Sequence, residues 1–150
     1  MVVLVDRRSA SASELVAAAL QENGRAVVMG QQSFGKGTVQ TTLSLGDAKG
    51  ALRLTTAYYI GPRGQSVQKT GVAPDIELLT ASPAPSERRA GDPPLMPEPR
   101  VRVEPGRCVA VLKAPDPALA CAVAYLQAAD LATFMGQAAA GPMASVPVAH

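Results

Sequence analysis

The chain has 150 residues, enough for one ordinary domain and too few for two. It is 47% hydrophobic but only 3% aromatic, so its core must be aliphatic; a net charge of +2, with 17% charged residues and no long run of one sign, gives nucleic acid or an anionic membrane little to hold. Two cysteines and a single histidine, His150 at the last position, cannot build a zinc site.

Val2 to Val5 is a short apolar run rich in β-branched residues and reads as a buried strand. Met1 precedes it directly, without a basic region, a long apolar core or a cleavage site, so the opening is not read as a signal peptide. Glu14 to Gln21 carries a helical pattern, with Leu15, Val16, Ala19 and Leu20 on one apolar face, and Asn23-Gly24 is a stop. Ala26 to Met29 reads as a second buried strand. The first thirty residues therefore predict a parallel strand–helix–strand crossover.

Beyond Gly35 the period changes. Thr38 to Leu45 and Leu52 to Ile60 predict a hairpin across "GDAKG", and Val67 a further short strand. Val72 to Leu79 is extended, with Pro74 arguing against a central strand. Residues 80–115 are rich in Pro, Ser, Arg and Glu and read as a linker or surface loop. Asp116-Pro117 fits an N-cap followed by Pro at the first helical position, opening one helix over 116–136. Residues 137–150 read as a frayed tail. No stretch is apolar for about 20 residues, so no transmembrane helix is expected. Cys108 and Cys121 fit either one disulfide or two buried small hydrophobes, and the second is the expectation.

Elimination narrows the chemistry. A Ser–His–Asp triad or a Cys–His pair would need His150. Metal hydrolase sites lack ligands, and Asp6 with Glu14 has no catalytic spacing. Serine and lysine remain. "SASASE" (Ser9 to Glu14) lies between a buried strand and a helix start, where unpaired amides and the positive dipole end suit a developing oxyanion. The same serines also suit simple helix capping, which spacing alone favours.

The second stretch is "VVMGQQSFGKGTVQ" (Val27 to Gln40). Gly30, Gly35 and Lys36 imitate a phosphate-binding loop. That loop needs Ser or Thr after its lysine and then a helix. Here Gly37 follows, and then residues of strand character, so no nucleotide is expected. An extended Lys36 to Gln40 would put Lys36, Thr38 and Gln40 on one face. A lysine serves as general base only where desolvation brings its pKa from about 10.4 towards 7–8, which costs about 4 kcal/mol. An exposed lysine on a turn is the plainer reading.

"LVDRRSASASELVAAALQENGRAVVMGQQSFGKGTVQTTLSL", followed by "LRLTTAYYIGPRGQSVQKTGVAPDI", closely resembles the protease domain of the carboxyl-terminal processing peptidases, also called tail-specific proteases. The resemblance covers about residues 2–79. It implies a Ser–Lys dyad on a partial crotonase/ClpP-like α/β fold, without cofactor or metal. By motif position the nucleophile falls on Ser11, the general base on Lys36, and the residue positioning that lysine on Gln40. The backbone N–H of Ala12 matches half of the oxyanion hole. Ser9 and Ser13 then shape the loop, and Glu14 serves the helix dipole or an ion pair. Implied partners are protein or peptide substrates with apolar C-terminal tails, in the periplasm or cell envelope.

The family's upstream half-fold, its second oxyanion donor, its usual PDZ domain and its signal peptide have no counterpart here. The expectation is therefore the C-terminal portion of such a protease (residues 1–79), with strand edges left open to self-association. Two other readings compete. One is a non-catalytic remnant acting as a binding or assembly module. The other is a crotonase-like enzyme acting on acyl thioesters, against which the Ser–Lys motif argues.

Overall fold

The computed structural model describes residues 1–46, 49–79, 101–108 and 116–140. The opening forms the expected crossover: strand β1 (Val2–Val5), helix α1 (Ala12–Glu22) and strand β2 (Val27–Gly30), with β1 and β2 parallel and Val2 opposite Val27. Asn23 caps α1 at its C-terminus, where the stop was expected.

The buried face of α1 differs from the pattern. Glu14, Ala17 and Ala18 are buried, while Val16 is 59% exposed. Side-chain size explains the difference: two alanines let the helix lie close to the sheet, against Val5, Val28, Val67 and Val72. Val67 contributes to this cluster from the connection just ahead of a turn at 68–70, not from a strand.

The sheet has four parallel strands in the order β1-β2-β5-β6, with β5 at Ile76–Leu78 and β6 at Val101–Val103. β5 is an inner strand despite Pro74. The proline lies two residues ahead of it, where a missing N–H removes nothing from the ladder. β6 falls within the stretch expected to be a linker. Three residues, "VRV", are too few for a periodic signal, and pairing with β5 holds them. Residues 80–100 and 109–115 of that stretch lie outside the described residues.

The sheet's second face carries Met29, Ile76, Leu78 and Val103 against Cys121, Ala122, Ala124, Phe134 and Ala138 of two helices. These are α2 (Pro117–Gln127) and α3 (Leu131–Ala140). The start of α2 is as predicted, with the Asp116 carboxylate accepting from Ala118 N–H at 2.8 Å. The single helix expected over 116–136 is instead two. Ala128 is extended, and the Asp130 carboxylate accepts from Thr133 N–H at 2.7 Å, which caps a new helix. That helix runs to Ala140, into the residues read as a tail; residues 141–150 lie outside the described residues. The Phe134 ring meets Tyr125 edge-on at 5.5 Å.

The cysteine expectation is overturned. Cys108 and Cys121 form a disulfide, with Cα atoms 4.9 Å apart. The 3-10 turn at Pro105–Arg107 packs beside α2 and brings Cys108 to the buried Cys121.

The predicted hairpin is present as β3 (Thr38–Ser44) and β4 (Ala51–Tyr58), an antiparallel pair separate from the main sheet. Every residue of β4 is exposed, and Leu43, Leu45, Leu52, Leu54 and Tyr58 all face solvent.

Candidate active site

Ser11 ends the turn between β1 and α1. Its φ of 57° is unusual for a residue with a side chain. The turn before it is tied by Asp6, whose carboxylate accepts from Arg8 N–H at 2.9 Å and Ser9 N–H at 2.8 Å. Partial burial pushes the Asp6 carboxyl up. Hydrogen bonds from Ser9 Oγ and these amides, with the Arg8 charge, outweigh it and hold the group below its ordinary value. Ser13 Oγ donates to the Ala10 carbonyl at 2.7 Å, so Ser9 and Ser13 are both committed to the loop.

Ser11 is the helix N-cap and forms a capping box with Glu14. Glu14 N–H donates to the Ser11 carbonyl at 3.0 Å. Half-buried Ser11 thus stands at a helix N-terminus. Ala12 follows at the first helical position, where backbone N–H groups have no intrahelical acceptor.

Lys36 lies in the connection between β2 and β3. Its glycines have packing reasons, and those reasons replace the resemblance to a phosphate loop. Gly35 has φ 92°, and a Cβ on Gly37 would sit 2.7 Å from Gln68 N. Gly35 accepts from Lys69 N–H at 2.8 Å, and Gly37 N–H donates to the Gln68 side chain at 2.7 Å. The loop is therefore seated on residues 66–71.

Glu14 joins the two pieces. It is fully buried, and its Oε2 accepts from Ser11 N–H and from Lys36 N–H, each at 2.8 Å. Its Oε1 accepts from Gly35 N–H at 2.7 Å and from Ser33 Oγ, which itself accepts from Val72 N–H. The Ser11 and Lys36 backbones are thus separated by less than two hydrogen-bond lengths. A capping-box pattern, S-x-x-E, signals the Ser11 contact from sequence. Nothing in the sequence signals Ser33, Gly35 or Lys36 as partners.

The side chains are less closely joined. Lys36 is exposed, and no hydrogen bond links its Nζ to Ser11 Oγ. Gln40 is exposed on β3 beside a register shift at Val39/Gln40 and makes no hydrogen bond to Lys36. A cleft of about 330 Å³ lined by Met1, Gln21, Arg25 and Tyr125 does not include these residues.

The family model of peptidase family S41 matches residues 1–78. A carboxy-terminal-processing protease of Bartonella bacilliformis is 51% identical over 92 residues, 61% of this chain and 20% of that protein. The chloroplastic carboxyl-terminal-processing peptidase 3 of Arabidopsis thaliana is 45% identical over 80 residues, 53% of this chain and 15% of the relative. A solved structure of the photosystem II D1 C-terminal processing protease is 44% identical over 51% of this chain and 20% of its own, with a TM-score of 0.49. The chain spans a fifth or less of the length of these relatives.

Proposed function

The chain belongs to peptidase family S41, and on that premise we propose that it carries the nucleophile and general base of a serine-type endopeptidase that cleaves proteins near apolar C-terminal tails. The observation that carries this reading is the shared Glu14 oxygen, which sets the Ser11 turn beside the Lys36 loop. With the one histidine at the last residue, composition leaves serine with lysine as the nucleophile–base type.

In the proposed reaction Ser11 Oγ attacks the scissile carbonyl carbon and Lys36 Nζ takes its proton. The oxyanion is held by Ala12 N–H at the positive end of α1. Lys36 then gives the proton to the leaving amine, and water attacks the acyl-enzyme to release the new C-terminus and free Ser11. Gln40, which makes no hydrogen bond to Lys36 in this structure, is proposed to hold it once further chain covers the site. A lysine base must be desolvated, and Lys36 is exposed here. Cover from further chain, such as the four fifths of the relatives that this chain does not span, is part of the proposal.

On this reading residues 1–79 are the C-terminal portion of a crotonase/ClpP-like protease fold, and the protein works in the cell envelope. Among the described residues no helix is long and apolar enough to cross a membrane. The open faces of the β3–β4 hairpin are where the covering chain, or a second copy, would sit.

A fluorophosphonate probe tests the proposal. Ser11 should be labelled in the wild type, not in Ser11→Ala, and only weakly in Lys36→Ala. Equal labelling after Ser11→Ala would remove Ser11 as nucleophile. The exposure of Lys36 favours a second reading, a non-catalytic binding module. A folded chain that is neither labelled nor hydrolytic would support that reading instead.

A further inference from the structure

We infer that Glu14 is a positioning residue whose carboxylate latches the Lys36 loop to the Ser11 turn and so sets the register of the nucleophile and base. This rests on the endopeptidase reading for its consequence, though not for its geometry. The carboxylate is fully buried and receives four donors: Ser11 N–H, Ser33 Oγ–H, Gly35 N–H and Lys36 N–H. An ionised carboxylate has about four lone-pair sites and no proton to give, so the donor set fills it.

The hydroxyl donor is fixed in direction. Ser33 Oγ accepts from Val72 N–H, which leaves its own hydrogen for Glu14. Three of the four donors come from residues 33–36, across a gap of about twenty positions from the helix that carries Glu14. A residue that merely caps α1 needs only the Ser11 contact. The other three bonds have no bearing on the helix and hold the lysine loop.

This separates two roles by one atom. A capping box accepts Glu or Gln equally well. The latch does not, because Gln turns two acceptor sites into donors that would face amide N–H groups. Glu14→Gln therefore distinguishes them without changing side-chain shape.

The test is amide hydrogen exchange on the 150-residue chain by NMR, with fluorophosphonate labelling of the same samples. In Glu14→Gln the remaining oxygen keeps Ser11 N–H and Lys36 N–H while the new NH2 faces Gly35 N–H and Ser33, so exchange at Gly35 should rise on the order of tenfold to a hundredfold, as for a lost charge-assisted bond, while Ala17 to Leu20 keep their protection. Ser11 labelling should slow by a similar factor, and the midpoint of its pH profile should move by about half a unit or more. Wild-type protection and labelling in Glu14→Gln would overturn the latch and leave a cap.

If Glu14→Gln does not fold, Ser33→Ala removes one donor only. It should raise Gly35 exchange about fivefold, and no change there would also overturn the latch. If the wild type is not labelled while Glu14→Gln loses protection at Gly35, the endopeptidase reading of this chain falls and the latch stands.

Discussion

Reducing the Cys108–Cys121 bond is expected to cost the fold about 3 kcal/mol. The cysteines are 13 residues apart, and the chain-entropy relation for a loop of about that length gives about 10 cal/mol/K, or about 3 kcal/mol at 25 °C. Reduction removes no atom from the core. Cys121 stays packed among Met29, Phe134 and Ala138, so the loss reports loop closure rather than a cavity. The assay is urea unfolding followed by circular dichroism, with and without a phosphine reductant. With a slope of about 1.5 kcal/mol/M, the midpoint should fall by about 2 M. A shift below about 0.3 M would refute the reasoning. Two free thiols titrated in the unreduced native protein would refute the pairing itself.

Two further perturbations bear on the site. Gly37→Ala places a Cβ 2.7 Å from the backbone nitrogen of Gln68, so main chain must move. It should cost roughly 1–3 kcal/mol and slow Ser11 labelling; an unchanged melting temperature would contradict the close packing of the loop. Asp6 gives a pH dependence. Its carboxyl lies below the ordinary 3.8 in the folded chain, so its stabilisation is present above pH 3.8 and is lost as pH falls through the lower folded value. The stability gap between wild type and Asp6→Ala should therefore narrow from pH 5 to pH 3, and a constant gap would show that Asp6 does not hold the turn.

The sequence makes the crossover and the hairpin legible because both rest on local periodicity. β-branched runs, a four-residue apolar spacing and a stop at Asn23 each act within a few residues. The features that local patterning does not reveal depend on distant neighbours. Hydrophobicity alone points α1 inward through Val16, but close approach favours Ala17 and Ala18. The β6 strand exists only because β5 lies beside it. The break between α2 and α3 falls in an alanine-rich run with no glycine or proline to announce it, and the Asp130 cap alone marks it. At the site, motif position points to Ser11 and Lys36, and Glu14 brings their backbones together. Local reasoning gives Glu14 only the helix dipole or an ion pair, because its partners at 33–36 are distant in sequence.

The shared carboxylate also limits how this stretch of chain can vary in length. Gly30 leaves the sheet at the end of β2, and six residues later Lys36 N–H must meet an oxygen fixed on α1. One residue added or removed between them would pull Gly35 and Lys36 off Glu14, whatever its chemistry. Residues 31–36 therefore behave as a measured spacer: substitutions at exposed positions such as Phe34 are tolerable there, while insertions and deletions are not.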